Sequence, residues 1–131
     1  MFADASALSA ILLDESDAHE LFARLKTYPY RVTSPLAVWE TVLAVHRGHQ
    51  VSVEESEAAV ESLLRLAGIE VLPVPAEVRR EAITAFARFG KGRHPAGLNF
   101  GDCFAYASAR HGRMPLLYKG DDFARTDIET A

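Results

Sequence analysis

Apolar residues in this 131-residue chain follow two spacings that alternate along its length. Short apolar runs have the length of buried strands, and the segments between them carry apolar residues three and four positions apart, as on one face of a helix. The predicted strands are residues 1–3, 30–33, 70–74 and 114–118. The predicted helices run through residues 7–12, 17–27, 35–47, 53–66, 76–89 and 99–109, and residues 90–98 form a loop. This alternation is typical of an α/β fold.

Signals at the helix ends set several of these boundaries. Ser34 followed by Pro35 is an N-cap serine with proline at the first helical position. Gly48 and Gly68 are expected to end the third and fourth helices, because glycine adopts the left-handed conformation of a helix C-terminus at little cost. Residues 127–128 are predicted to pair as a last edge strand. The sheet should therefore contain four to five strands.

Strands that are separated by helices are joined by right-handed crossovers, which produce a parallel sheet with helices on both faces. The expected architecture is a three-layer α/β/α sandwich with a central parallel sheet. A chain of this size buries about two-thirds of its unfolded surface, so residues 1–131 are predicted to form a single domain. Ligands of such sheets bind beyond the carboxyl ends of the strands.

The composition is that of an ordinary globular protein, with 49% hydrophobic and 24% charged residues. No apolar run approaches the roughly 20 residues that span a bilayer, and the N-terminus lacks the basic segment of a secretory signal. A cytoplasmic protein without membrane contact is therefore expected. The net charge of −4 argues against a nonspecific nucleic-acid binder that works through overall charge. The single cysteine, Cys103, excludes an intramolecular disulfide and is predicted to be buried.

The predicted helix at 99–109 is apolar on most sides and yet carries an acid, Asp102, in its first turn. Asn99 is a favourable N-cap, and the positive end of the helix dipole favours Asp102 as an anion. Asp102 therefore either supports the helix start or is a charged group that meets a cation. Taken alone, this segment leaves both interpretations open.

Two more acids can likewise be interpreted either as structural residues or as ligands of a cation. Asp4 ends the first strand, where it either caps the next helix or faces a ligand at the edge of the sheet. Glu40 shares a helical stripe with Leu36 and Leu43 and therefore points toward the sheet. A glutamate in that position is protonated or paired, unless its side chain reaches past the stripe to solvent or to a lysine.

Two adjacent acids, Asp121 and Asp122, follow the last long strand. A turn after Gly120 explains one of them and leaves the other available. Phe123 is expected to pack against the core and to orient Asp122 differently from Asp121. Asp4, Glu40 and Asp102 are expected to lie near them. Acids gathered in this way repel one another unless a cation binds between them. Carboxylate oxygens suit Mg²⁺ or Mn²⁺, which commonly act in phosphoryl chemistry.

Several short segments also resemble a known family. They are Asp4-Ala5-Ser6, Trp39-Glu40, Asn99-Phe100-Gly101-Asp102, Lys119-Gly120-Asp121-Asp122-Phe123 and Thr126-Asp127-Ile128. In their order and in the total length of the chain they are similar to a PIN domain of the VapC toxin type. The resemblance covers essentially the whole chain, and it implies a magnesium-dependent endoribonuclease of a toxin–antitoxin pair, with Mn²⁺ as a substitute for Mg²⁺.

The resemblance also implies roles for individual acids. It maps Asp4, Glu40 and Asp102 onto three core acids of the family. The fourth maps to Asp122, with Asp121 as the alternative. On this basis Asp4, Asp102 and Asp122 are expected to coordinate one or two Mg²⁺ ions. Glu40 is expected to orient or deprotonate the attacking water, which leaves a 3′-hydroxyl and a 5′-phosphate on the cleaved RNA.

Further expectations concern support residues and partners. Ser6 matches a hydroxyl residue that supports the metal site through a water. The implied partners are an RNA substrate, a small VapB-like antitoxin and a second copy of the chain, in a homodimer or in a higher hetero-oligomer with the antitoxin. A basic rim is expected to hold flanking RNA phosphates, and its candidates are Arg93, Arg110, Arg113 and Lys119.

Two alternatives remain at the level of the sequence. Carboxylates with a divalent ion do not identify the ester, so another metal-dependent nuclease or a phosphatase on a PIN-like fold fits the same acids. A noncatalytic binding module that has kept the fold is the other alternative. The presence of all four acid positions argues against it.

Overall fold

A four-stranded parallel sheet lies between two layers of helices in the computed structural model, which describes the whole chain from Met1 to Ala131. In chain order the elements are β1 (Phe2–Ala3), α1 (Ala5–Leu12), α2 (Ala18–Thr27), β2 (Arg31–Thr33), α3 (Pro35–His49), α4 (Val53–Ala67), β3 (Ile69–Val71), α5 (Val78–Phe89), α6 (Phe100–His111) and β4 (Leu116–Leu117). A 3-10 turn at Phe123–Arg125 follows β4. The predicted α/β/α architecture is confirmed.

The strand order β3-β2-β1-β4 decides where a ligand can approach the sheet. From β1 the chain first builds outward to β2 and β3, and it then returns to add β4 on the other side of β1. The direction of winding therefore reverses between β1 and β4. In open parallel sheets this reversal leaves a crevice beyond the carboxyl ends of the two strands, where ligands bind.

The sheet separates two hydrophobic cores, one on each face. Successive side chains of a strand point to opposite faces, so each strand contributes residues to both cores. Phe2 and Leu116 face α5 and α6, and Cys103 is buried on this side, as predicted. Ala3 and Leu117 face the layer formed by helices α1 to α4. Because both faces are covered, the central strands β1, β2 and β4 are buried except for Arg31, whereas Glu70 and Val71 of the edge strand β3 are exposed.

The start of α3 follows the sequence prediction, whereas its end does not. The Ser34 hydroxyl accepts a hydrogen bond from the backbone N–H of Ala37 at 3.2 Å, and Pro35 is the first helical residue. The helix does not stop at Gly48 but continues to His49. A Cβ on Gly48 would lie 2.6 Å from Leu13 Cδ2, so this glycine permits the close approach of α1.

The strand boundaries also needed correction. β3 ends at Val71 rather than at residue 74, because Pro73 and Pro75 lack the N–H groups that extend a ladder. β4 contains only Leu116–Leu117 of the predicted residues 114–118. Gly68, by contrast, caps α4 in the left-handed conformation, as predicted.

Residues 127–128 do not form the predicted edge strand. The chain instead makes a single parallel bridge later, where the Leu116 N–H donates to the Glu129 carbonyl at 2.8 Å and the Ala131 N–H to the Leu116 carbonyl at 2.9 Å. The Asp127 side chain instead accepts a hydrogen bond from the Tyr106 hydroxyl of α6 at 2.5 Å. The sheet therefore has four strands. None of the helices combines the length and hydrophobicity that crossing a bilayer requires.

Candidate catalytic site

Asp4 stands at the carboxyl end of β1, beside the crevice between β1 and β4. Its Oδ2 accepts hydrogen bonds from the Ser6 backbone N–H at 2.9 Å and from the Ser6 hydroxyl at 2.5 Å, so Asp4 is the N-cap of α1. Only 3% of Asp4 is exposed, and this burial raises the pKa of its carboxyl group although the bonds from Ser6 oppose the rise. The capping interpretation and the site interpretation therefore both apply to Asp4.

Ser6 connects the two strands that border the crevice. Its hydroxyl donates to Asp4 and accepts a hydrogen bond from the backbone N–H of Lys119 at 3.0 Å. Lys119 is the second residue after β4, so the hydrogen bonds run from the end of β4 through Ser6 to the carboxylate at the end of β1. Ser6 thereby fixes one oxygen of the Asp4 carboxylate and the position of the backbone at Lys119, which leads toward Asp122.

Asp102 lies in the first turn of α6 and forms a capping box with Asn99. The Asn99 N–H donates to Asp102 Oδ2 at 2.8 Å, and the Asp102 N–H donates to Asn99 Oδ1 at 3.0 Å. Burial raises the pKa of Asp102 to about 6, against the lowering effect of the Asn99 bond, and the charges of Asp4 and Asp122 raise it further. Asp102 therefore supports the helix start and also faces the other acids.

Glu40 reaches the same place from the opposite helix layer. Its carboxylate lies against Gly101, and a Cβ on Gly101 would overlap both carboxylate oxygens. Burial raises the pKa of Glu40 to about 7, and the negative charges of Asp4 and Asp102 add to the rise. Glu40 is half-buried and faces the start of α6, and no lysine neutralises its side chain.

Gly101 is a site residue that was not identified from the sequence. It is buried in the first turn of α6, where a residue with a side chain would favour the helix. A glycine directly before an acid at the start of an apolar helix was the available signal. Its meaning depends on Glu40, which is 61 positions away in the chain and contacts it only in the folded protein.

The two acids after β4 differ in their surroundings although both are exposed. The charge of Asp122 acts on Asp102 and raises its pKa, and that of Asp121 does not contribute. Gly120 turns the chain with a φ of 95°. Phe123 is buried as predicted and its ring centroid lies 5.1 Å from that of Tyr118, which anchors the segment directly after Asp122.

The assembled group is an uncompensated cluster of negative charge. Four acids come from four separate segments, and none of them forms an ion pair with a basic side chain; they are Asp4, Glu40, Asp102 and Asp122. Their oxygens are the ligand type that Mg²⁺ and Mn²⁺ prefer. No three of the side chains are arranged to bind one ion together. Mg²⁺ commonly binds proteins through one or two carboxylates and retains several waters, so the donor set fits such an ion.

Two residues of the expected basic rim are instead occupied by acidic partners. The Lys119 ammonium pairs with Glu15 and with Asp17, the latter at 2.9 Å. Arg110 pairs with Asp127 at 3.3 Å. Each of these two cations is therefore already partly neutralised.

The position of the rim candidates needed a larger correction. Arg110 lies eight residues after Asp102 on α6, about 12 Å along the helix axis. Arg113 follows α6 and precedes β4, so it lies at the amino ends of the strands, opposite the carboxylates. Only Arg93, in the segment that leads to the N-terminus of α6, and Lys119 are on the side of the acids. The sequence order of the basic residues did not reveal at which edge of the sheet each would lie.

Comparisons with known proteins identify the family of this chain. The family model of the PIN domain matches residues 1–129. Ribonuclease VapC30 of Mycobacterium tuberculosis is 38% identical over 130 residues, which cover 99% of this chain and 97% of the relative. Ribonuclease VapC of Mycolicibacterium smegmatis is 39% identical over 128 residues, with 98% and 97% covered. The chain is therefore a PIN domain. It belongs to the PIN-domain family of VapC ribonucleases.

A solved structure shows the same fold at lower sequence identity. The crystal structure of Mycobacterium tuberculosis VapC20, described as a Sarcin-Ricin loop cleaving toxin, matches with a TM-score of 0.76 and 17% identity. The match covers 99% of this chain and 97% of that one. At this identity the likeness extends to the arrangement of helices and strands and not to the RNA that is cleaved.

Proposed function

We propose that this chain hydrolyses RNA phosphodiester bonds as the endoribonuclease toxin of a toxin–antitoxin pair, with Mg²⁺ as cofactor and Mn²⁺ as a substitute. The VapC family is a family of such endoribonucleases. The observation that carries the proposal for this chain is the cluster of four acids beside the crevice, none of which has a basic partner. Holding these charges together is costly, and a divalent cation removes that cost.

Each acid has a distinct task in this proposal. Asp4, Asp102 and Asp122 hold the ion directly or through water, and Asp121 lies outside this set. Glu40 accepts the proton of the attacking water. A base with a pKa near the working pH transfers protons effectively, and burial brings the pKa of Glu40 to about 7. The bound ion supplies charge stabilisation at the phosphate and lowers the pKa of the water.

Positioning in this site depends on hydrogen bonds of the chain itself. The Ser6 hydroxyl holds Asp4, and the Asn99 N–H holds Asp102. Each of these bonds occupies one oxygen and leaves the second oxygen of the carboxylate available. Because water attacks the phosphorus, the RNA 2′-hydroxyl has no part in the reaction, and the products carry a 3′-hydroxyl and a 5′-phosphate.

The test is cleavage of RNA by the purified protein, with matched variants at the two adjacent acids. Asp122→Asn is expected to lower the rate at least about 100-fold, whereas Asp121→Asn retains most of it. EDTA should abolish cleavage and Mg²⁺ should restore it. A folded Asp102→Asn protein that cleaves RNA as fast as the native protein contradicts the proposal. Single-stranded DNA and a chromogenic phosphate ester, assayed in parallel, separate a ribonuclease from another nuclease or a phosphatase.

The partners follow from the same proposal. A VapB-like antitoxin is expected to bind the toxin and to inhibit it. We propose that the toxin is a homodimer that enters a higher hetero-oligomer with this antitoxin, and that it acts in the cytoplasm. The gene of the antitoxin is expected beside that of the toxin. Light scattering of the toxin alone measures the mass of the homodimer, and light scattering after addition of the antitoxin measures the mass of the hetero-oligomer.

A further inference from the structure

The segment after β4 carries Asp122 and is anchored on both sides of it. We refer to residues 119–123 as the β4 loop. At its start the Lys119 backbone N–H donates to the Ser6 hydroxyl at 3.0 Å. At its end the Phe123 side chain is buried in the core. The two acids between these points are exposed, so the anchored ends determine the path of the loop.

Asp122 lacks the direct support that the other expected metal ligands have. The Asp4 carboxylate accepts hydrogen bonds from Ser6. The Asp102 carboxylate accepts one from the Asn99 N–H. Asp122 precedes the 3-10 turn, and its side chain makes no capping hydrogen bond to that turn. The position of its carboxylate therefore depends on how firmly the rest of the β4 loop is held.

The side chain of Lys119 provides a further anchor for the β4 loop. Its ammonium group pairs with Asp17 at 2.9 Å and also with Glu15, and both acids lie in the segment between α1 and α2. The three side chains are partly buried, with 31% of Lys119, 39% of Glu15 and 35% of Asp17 exposed. One cation shared by two carboxylates thus joins the β4 loop to a segment more than 100 positions earlier in the chain.

We infer that Lys119 is a positioning residue for the metal site, because its two ion pairs hold the β4 loop so that Asp122 faces Asp102. This inference rests on the proposed function, in which Asp122 is a ligand of the ion. Gly120 directly follows Lys119 with a φ of 95°, and glycine adopts many other backbone conformations at little cost. A loop released at Lys119 would therefore sample positions in which Asp122 points away from the site.

Positioning and RNA contact make opposite predictions for Lys119. The sequence predicts that Lys119 holds an RNA phosphate, but its ammonium group already pairs with two carboxylates, whereas Arg93 pairs with none. If Lys119 contacts RNA, removal of the charges of Glu15 and Asp17 frees it and strengthens RNA binding. If Lys119 positions Asp122, the same removal weakens the binding of the metal ion.

The experiment measures the binding of Mn²⁺ without RNA, by electron paramagnetic resonance of the free ion, and the Mg²⁺ dependence of RNA cleavage. Lys119→Met removes the charge and keeps an unbranched side chain, and Lys119→Arg keeps the charge. A double variant, Glu15→Gln with Asp17→Asn, retains Lys119 and removes the charges of its partners. Glu20→Gln is the matched control, because Glu20 is an exposed acid of α2 without an ion pair. Thermal unfolding in EDTA verifies that each variant is folded.

Lys119→Met and the double variant are expected to weaken Mn²⁺ binding about tenfold, as the loss of a residue that orients a metal ligand commonly does. The Mg²⁺ concentration for half-maximal cleavage should rise by the same factor. The kcat at saturating Mg²⁺ should stay close to the native value, because excess ion draws Asp122 back to the site. Lys119→Arg and Glu20→Gln should bind Mn²⁺ like the native protein. The thermal midpoint in EDTA should change little, since exposed ion pairs contribute little stability.

Native Mn²⁺ affinity in the folded Lys119→Met protein would overturn the inference. If Lys119→Met weakened RNA binding and the double variant strengthened it, with native Mn²⁺ affinity in both, Lys119 would be assigned to the RNA instead. The proposed function fails separately, in variants that leave Lys119 unchanged. An Asp122→Asn protein that binds Mn²⁺ and cleaves RNA like the native protein would contradict the assignment of Asp122 as a ligand.

Discussion

Gly101 and Glu40 are in direct contact, and a Cβ on Gly101 would occupy the position of the Glu40 carboxylate. The contact joins the first turn of α6 to α3 across the end of the sheet. It brings the expected proton acceptor next to Asp102, which directly follows Gly101. Because the carboxylate is the end of a flexible side chain, it can move aside without disrupting the fold.

Gly101→Ala is therefore expected to separate activity from stability. The added methyl group displaces the Glu40 carboxylate, and RNA cleavage should fall about 100-fold or more, the usual contribution of a positioned general base. The midpoint of thermal unfolding should change little, since alanine favours a helix over glycine. Ser108→Ala on the same helix is the control and should cleave RNA like the native protein. Full activity of Gly101→Ala would show that the position of Glu40 is unimportant.

Removal of the Ser6 hydroxyl is expected to affect both the fold and the site. In Ser6→Ala the buried Asp4 loses one donor and the Lys119 N–H loses its acceptor. A loss of about 1–3 kcal/mol in the free energy of unfolding is expected, as for a hydrogen bond to a charged group. Chemical denaturation measures this loss, and Ser6→Thr should recover part of it. Ser9→Ala on the same helix is the control, because no hydrogen bond of the Ser9 hydroxyl is lost. A Ser6→Ala protein as stable as the native one would contradict this role.

The metal-free protein should lose stability as the pH rises from about 5 to 8. Glu40 changes from an ordinary pKa of 4.5 to about 7 on folding, and Asp102 from 3.8 to about 6. Between these values the folded state binds more protons than the unfolded state, so the free energy of unfolding decreases with rising pH. Thermal unfolding in EDTA across this range measures the effect.

A variant of Glu40 and the addition of Mg²⁺ test whether the acids of the site cause this pH dependence of stability. Glu40→Gln should raise the stability of the metal-free protein at pH 8 and flatten its pH profile. Mg²⁺ should stabilise the native protein more at pH 8 than at pH 5, because protons compete with the ion for the carboxylates. If the stability of the metal-free protein rose with pH over this range, the interpretation of the site would be wrong.

The salt dependence of RNA binding should identify which arginine contacts RNA. Arg93 is on the side of the acids, whereas Arg110 is paired with Asp127 and Arg113 lies at the opposite edge of the sheet. Arg93→Gln should reduce the slope of log affinity against log salt by about 0.7–0.9, as for the loss of one phosphate contact. Arg110→Gln and Arg113→Gln should leave the slope unchanged. An equal effect of all three would restore the broad basic rim that the sequence suggested.

Much of the fold could be predicted from the sequence because its signals are local. Apolar spacing gave all six helices and four strands, and Ser34 with Pro35 gave the start of α3. The errors occurred where a distant contact overrides a local signal. Gly48 looks like a helix end in the sequence, but in the structure it provides space for Leu13. The sequence predicts an edge strand at residues 127–128, but the bridge to β4 forms at Thr130, and Asp127 instead accepts a hydrogen bond from Tyr106.

The sequence by itself determined the types of elements, the two-sided burial of the sheet and the identity of the acids, because these depend on residue spacing and residue chemistry. Only the tertiary structure decided which charges meet. It brought Asp102 and Glu40 together at Gly101, and it sent Arg110 and Arg113 to the far edge. The reason is physical: the energy of a charge depends on its distance from other charges and from water, and folding sets those distances between residues that are far apart in the chain.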